Sequence, residues 1–327
     1  MFRDSALVKD VVDRVKAFRP DAILHHNIYH HFPMAQMVRA LDRQVGVPQS
    51  IVLHDNKPGC AVYLGLRHGT PCTLCSGDRY WNAVRHRCKD GSLVKSSLLA
   101  ADSFWNARVN GVYSRFRAVI SPSRFLARRL QGIGQGRAIE VLSNPCPPVV
   151  EDSASDTRSG VAFVGRLSEE KGIHVLLDLA SRFPGTEFHV AGDGPLSETV
   201  RERVAASLPN VRLLGRIGRD EVCQLLSRVR FLVLPSICLE NNPMAGLEAL
   251  SRGTPILGSN LGGIPELVED GRGWLFDPSS PDSVAAALEQ ALALAKEEWI
   301  RVSGVCKTWA GERSEERYIA NLTSLLV

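Results

Sequence analysis

The sequence predicts an α/β protein built from two doubly wound domains. Three observations carry this. Short apolar runs alternate with helical periodicity along most of the chain, the strand-like runs are only about five residues long, and a linker separates two such series. The linker, NPCPPVVEDSASDTRSG (144–160), passes from proline-rich to small and polar. Short buried strands alternating with helices imply a parallel sheet covered on both faces. At 327 residues and 44% hydrophobic, the chain can bury a core in each of two domains.

In the first half, ALVKDVVDRVKAF (6–18) reads as an amphipathic helix, DAILHH (21–26) as a strand and FPMAQMVRALDRQ (32–44) as a helix. QSIVLHDN (49–56) reads as a strand with a polar end. Residues 57–92 read as irregular, 93–116 as helical, and RAVISPS (117–123) as a strand with a serine-rich end. A Rossmann-like unit opens on a strand and a glycine-rich turn, whereas this one opens on a helix; the expectation is a first domain lacking its start. In the second half, strands at 159–167, 186–195, 211–217, 231–236 and 255–260 alternate with helices at 171–183, 196–208, 219–229 and 243–253. The expected domains are 1–150 and 151–305. Residues 306–327, ending in the amphipathic EERYIANLTSLLV, form a C-terminal segment that packs back on the first domain.

Residues 1–150 carry 21 Lys and Arg against 10 Asp and Glu, while the remainder carries 18 against 25. A basic half suggests anionic partners such as phosphates, nucleic acid or a lipid surface; a solvated surface poor in acids is the plainer reading. The apolar run FLVLP (231–235) is too short to span a membrane, and MFRDSALVKD lacks the apolar core of a secretion signal, so a cytoplasmic protein is expected.

Ligands of open α/β sheets bind at the carboxyl ends of the strands. In the second half those ends deliver Gly165 and Arg166 with Lys171; Gly192, Asp193 and Gly194; Ser236, Glu240, Asn241 and Asn242; and Asn260, Gly262, Gly263 and Glu266. Two cations, a helix start at Pro243 and a glycine-rich turn suit a diphosphate, because charge and free N–H donors converge. Asn242 is also a natural helix cap. Glu240 lies before the helix and Glu248 in its second turn, so they are not neighbours on one helix face. Carboxylates there suit sugar or ribose hydroxyls.

FVGRLSEEKGIHVLLDLA, HVAGDGP and PSICLENNPMAGLEALSRGTPILGSNLGGIPELVEDGRGWLFDP together resemble the retaining nucleotide-sugar glycosyltransferases of family 4. That family has the GT-B fold, two Rossmann-like domains facing a cleft. Its Glu-x7-Glu signature is matched by Glu240 and Glu248. The resemblance implies that Arg166 and Lys171 hold the donor diphosphate, beside Gly165. It implies that Glu248 binds the donor ribose and Glu240 faces the transferred sugar. The stretch Asn241, Asn242, Pro243, Met244 and Ala245 would line the sugar and distal phosphate, presenting the backbone amides of all but the proline. In the first half, RPDAILHHN, LHDN and ISPSRF are similar to that family's signatures, and His54 would approach the transferred sugar; His25, His26, His30 and His31 are further candidates for the acceptor side. The implied partners are a nucleotide-sugar donor and a glycan, lipid-linked or small-molecule acceptor, with no cofactor needed for catalysis. A catalytically impaired nucleotide-sugar-binding protein, or a glycoside hydrolase using Glu240 and Glu248, remain alternatives.

Cys60, Cys72, Cys75 and Cys88 contain one Cys-x2-Cys knuckle, and four thiolates could hold a structural zinc; free thiols are the other reading. Residues 93–117 mix Trp105, Tyr113 and Phe116 with Lys95, Arg108, Arg115 and Arg117. That mixture suits an anionic membrane surface or a lipid-phosphate acceptor, unless the helix simply packs its apolar side on the sheet. No nucleic-acid-binding motif accompanies it.

Overall fold

The structure is a computed structural model that describes residues 5–30, 32–133, 138–150 and 158–326. The chain divides into unit 1, Met1–Ser143 with Tyr318–Val327, and unit 2, Asn144–Arg317.

Unit 1 begins with α1 (Ser5–Phe18), β1 (Ile23–His26), α2 (Met34–Gln44) and β2 (Gln49–Val52). The hairpin β3 (Leu66–Arg67) and β4 (Thr70–Pro71) and the short α3 (Trp81–Arg85) follow. Then come α4 (Leu93–Phe104), β5 (Val119–Ser121), α5 (Arg124–Arg129) and β6 (Glu140–Val141). The four-stranded sheet has the order β1-β2-β5-β6, and every pairing in it is parallel. Because successive strand residues point to opposite faces, Ile51 and Leu53 enter one core and Val52 the other.

Three segments depart from the sequence reading. The strand expected to reach Asn56 stops at Val52. There the Asp55 carboxylate accepts the Lys57 N–H at 2.8 Å and turns the chain into a 3-10 turn at Lys57–Gly59. Residues 57–92, expected to be irregular, fold into the hairpin and α3, tied by Tyr80 Oη donating to the Pro58 carbonyl at 2.6 Å. The helix expected over 93–116 breaks. A π turn at Trp105–Val109 leads to Gly111 in the left-handed region (φ 53°) and a 3-10 turn at Val112–Arg115.

Unit 2 contains β7 (Val161–Val164), α6 (Ile173–Arg182), β8 (Phe188–Ala191), α7 (Ser197–Ser207), β9 (Val211–Gly215) and α8 (Arg219–Arg228). It continues through β10 (Phe231–Leu234), α9 (Met244–Ser251), β11 (Ile256–Ser259), α10 (Ile264–Val268) and β12 (Gly273–Phe276) to α11 (Pro281–Leu292) and α12 (Lys296–Gly311). The parallel six-stranded order is β12-β11-β10-β7-β8-β9. The chain runs outward from β7 to β9, then returns to place β10 on the other side of β7, so the topological switch point lies between these two strands. Val161, Phe163, Phe231 and Val233 face one core, and Ala162, Leu232 and Leu234 the other.

The last helix, α13 (Glu315–Leu326), sets Leu322 and Leu325 against Val52, Ala118 and Ile120 of unit 1. Among the described residues, no helix is long and apolar enough to cross a membrane.

Candidate functional site

The parallel sheet of unit 2 brings the carboxyl ends of β7 and β10 side by side, and the chemistry gathers there. Lys171 closes a short 3-10 turn after β7. Its Nζ lies 2.5 Å from Glu240 Oε1, in the loop after β10. Ser236 donates its hydroxyl to the same carboxylate oxygen at 2.9 Å. Burial works against the Lys171 ammonium, but the charge and hydrogen bond of Glu240 more than offset it. The result is a pKa above the ordinary lysine value.

Two glycines make this approach possible. Gly172 (φ +70°) follows Lys171, and a Cβ there would sit 1.9 Å from the Pro235 carbonyl oxygen at the end of β10. Gly262 (φ +64°) lies against the Glu240 backbone, where a Cβ would meet the Glu240 carbonyl oxygen at 2.4 Å. The next N–H, of Gly263, donates to that carbonyl at 2.8 Å. On the other side of the loop, the Ile237 N–H donates to the Glu170 carbonyl. The loop carrying Glu240 is thus fastened by backbone to both neighbouring turns.

Arg166 is exposed at the end of β7. With Gly165, Gly192, Asp193, Arg216 and Ile217 it lines a cavity of about 440 Å³. The Asp193 carboxylate accepts the Ser197 hydroxyl and the Gly194 N–H, which together hold it below the usual carboxylate range. Arg216 and Ile217 had not been singled out among the candidates. The available signal was their position at the close of VRLLGRI, a strand whose carboxyl end belongs to the same edge.

Helix α9 starts at Met244 with Pro243 in the cap position, one residue later than sequence reasoning placed the helix start. Asn242, the expected cap, lies before that position, and its Oδ1 accepts the Asn144 N–H at 3.2 Å. Asn241 is buried, whereas Met244 is exposed and Ala245 half-buried. Glu248 is half-buried in α9. Burial pushes its carboxyl up, and Arg219 and Arg252 oppose that shift. Glu240 and Glu248 therefore stand in different surroundings: Lys171 and Ser236 bond to the first, while the charges of Arg219 and Arg252 act on the second.

In unit 1, His26 and His54 stand at the ends of adjacent strands. His26 Nδ1 is 2.7 Å from His54 Nε2, and the rings stack with centroids 5.0 Å apart. Burial lowers the pKa of both. Tyr29 donates to the neighbouring Asp55 at 3.0 Å. His25 points instead into the sheet, bonded to Gln49 at 2.8 Å and edge-on to Phe116, so its surroundings are structural. His31 lies outside the described residues. In the ISPS stretch, the Ser123 hydroxyl caps α5 by accepting the Leu126 N–H.

The zinc expectation for Cys60, Cys72, Cys75 and Cys88 is not met. Among the described residues no group of three or more His, Cys, Asp or Glu is arranged to hold a metal ion. All four are free thiols, and burial raises the pKa of Cys60, Cys75 and Cys88, with Cys75 pushed up to about 11. Neutral thiols in such surroundings act as small apolar side chains. Backbone acceptors tie this region instead: Asn82 reaches the Leu74 carbonyl and Arg129 the Cys72 carbonyl.

Residues 151–299 match the family described as glycosyl transferases group 1. An uncharacterized glycosyltransferase of Methanocaldococcus jannaschii is 28% identical over 214 residues, covering 65% of this chain and 58% of that protein. The glycogen synthase of Mycobacterium tuberculosis is 35% identical over 150 residues, 43% of this chain and 36% of that protein. The chain thus spans less than two thirds of the length of either relative. Among solved structures, Anabaena HepE in complex with UDP and glucose aligns with a TM-score of 0.67 at 19% identity, over 98% of this chain and 82% of that one. At that identity the likeness is one of fold, and the fold is GT-B. The group 1 match includes Arg166, Lys171, Glu240 and Glu248.

Proposed function

We propose that the chain is a retaining glycosyltransferase of family 4 that moves a hexose from a nucleotide-sugar donor held in unit 2. The observation that carries this reading is the Lys171–Glu240 pair at the switch point of a parallel sheet. It is supported by the group 1 match and by the UDP and glucose complex of HepE. The donor diphosphate lies on Arg166 and Lys171 with the backbone N–H groups of Asn241, Asn242, Met244 and Ala245. Glu248 takes the ribose hydroxyls and Glu240 the hydroxyls of the transferred sugar. His54 is assigned to the acceptor side of the reaction, and the acceptor is a glycan, a lipid-linked molecule or a small molecule.

Negative charge grows on the diphosphate as the anomeric C–O bond breaks, so cations already in position lower the barrier. The acceptor hydroxyl attacks from the face the diphosphate leaves. Its oxygen forms the new bond to the anomeric carbon, and its proton passes to the departing phosphate oxygen. The countercharge is assigned to side chains of this chain, and the reading names no cofactor.

The deciding experiment is a thermal-shift and turnover panel of UDP-, GDP- and ADP-sugars. Stabilisation by one base, with release of its nucleoside diphosphate, is expected. Indifference to all three would sink the donor assignment. Binding without turnover would favour a nucleotide-sugar-binding protein.

A further inference from the structure

Helix α4 is built inside out. Its buried positions are Ser96, Ala100 and Ser103, continued into the π turn by Ala107. These recur at spacings of four, three and four and so form one inward face. Leu99 is partly buried against the core, but the other large apolar residues lie outside: Leu93, Val94, Leu98, Phe104, Trp105 and Val109 are between 46% and 69% exposed. Val94, Leu98 and Trp105, four and seven positions apart, share one face of the helix. Folding ordinarily buries the large apolar side chains and leaves serine outside. Singly exposed leucines need no explanation, but six large apolar residues along seventeen positions of one segment do. The alternative that the sequence left open, an apolar side packed inward, holds for Leu99, Ala100 and Ala107 and for Tyr113 and Phe116 beyond the helix, but not for these six residues.

Charge indicates what the face meets. Helix α3 packs beside α4 and adds Trp81, 56% exposed. Arg79, Arg85, Arg87, Lys95 and Arg108 are exposed around these helices. Arg108 pairs with Asp78, and Lys89 and Lys95 share Asp90. Even so, residues 79–117 hold eight Lys and Arg against two acids, within a unit that carries 21 against 10. A second copy docking through the same face would set like charge against like. Single-stranded nucleic acid would use the cations and the indoles but gains little from exposed valine and leucine.

We propose that this face docks unit 1 on an anionic lipid surface. Val94, Leu98 and Trp105 enter the headgroup boundary, and Arg79, Arg85 and Arg87 meet lipid phosphates. An interfacial helix needs an apolar stripe, indoles and flanking cations, and this segment has all three.

The test uses the full chain with vesicles of phosphatidylcholine alone and of phosphatidylcholine mixed with phosphatidylglycerol. Co-sedimentation with the mixed vesicles, falling with salt, is expected. Leu98→Gln with Trp105→Gln should weaken it about tenfold or more, and Arg85→Gln with Arg87→Gln roughly fivefold per cation removed. All four positions are exposed, so circular dichroism and the thermal midpoint should stay unchanged. Brominated lipid should quench indole fluorescence less once Trp105→Phe removes one inserted ring. Equal partitioning to both vesicle types would overturn the proposal, as would indifference to Leu98→Gln and Trp105→Gln. So would light scattering that shows the face covered by a second copy, or retention of the chain by single-stranded RNA but not by vesicles. No donor or acceptor is present, so failure to dock is read separately from failure to transfer a sugar.

Discussion

Lys171 Nζ and Glu240 Oε1 lie 2.5 Å apart although 69 positions separate them in the chain. The pair brings the ends of β7 and β10 together in charge as well as in backbone. Lys171→Ala should lower kcat/KM for sugar transfer by about a hundredfold or more, the usual cost of removing one group that stabilises a leaving anion. Nucleoside diphosphate affinity, read by calorimetry, should fall with it. Near-normal turnover would remove Lys171 from the diphosphate.

Gly172 offers a test of placement without touching a charge. Its φ of +70° and the 1.9 Å approach to the Pro235 carbonyl leave no room for a methyl group. Gly172→Ala should cost about 2–4 kcal/mol in urea unfolding, from strain and a forced backbone shift. Gly185, with nothing within 4 Å of an added Cβ, is the matched control. Gly185→Ala should stay within about 0.5 kcal/mol.

The sequence revealed the alternation of unit 2 well because its strands and helices are local patterns. The helices read at 171–183, 196–208, 219–229 and 243–253 are observed at Ile173–Arg182, Ser197–Ser207, Arg219–Arg228 and Met244–Ser251. That Arg166, Lys171 and Glu240 follow the ends of parallel strands was likewise visible, because such ends converge on one edge, whereas Glu248 lies in α9 and was singled out by its spacing from Glu240. Pairings made across the sheet were not visible. Nothing local says that Lys171 meets Glu240, that Asn242 meets Asn144, or that His26 stacks on His54. The break at Gly111 also escaped, and whether the apolar residues of α4 face outward was left open. Periodicity reports that one helical face is apolar, not which face the rest of the unit covers.

The His26–His54 contact predicts a pH dependence of stability. Burial lowers the pKa of His25, His26 and His54 in the folded chain, while the unfolded value stays near 6.5. As pH falls below 6.5, the unfolded chain takes up protons first, so stability is fully present above that value and is lost below it. The urea midpoint should therefore drop between about pH 7 and pH 5. Replacing both His26 and His54 by Gln should flatten that slope, leaving the share due to His25 and His86. An unchanged slope would mean that neither ring is buried neutral.

Glu240 and Glu248 are separated by their kinetics. If Glu248 holds the donor ribose, it contributes equally in ground and transition states. Glu248→Gln should then raise the donor KM about tenfold and leave kcat within a few-fold. If Glu240 holds the reacting sugar, Glu240→Gln should lower kcat, with nucleoside diphosphate affinity retained through Arg166 and Lys171. A hydrolytic carboxylate pair predicts something different: loss of kcat at both positions and no inhibition by nucleoside diphosphate. The surroundings of the two carboxylates differ. Glu240 is held by a lysine and a serine at the switch point, whereas Glu248 sits in α9 among the charges of Arg219 and Arg252. Two carboxylates in surroundings that differ this much need not act alike, and the split between KM and kcat tests whether they hold two kinds of hydroxyl.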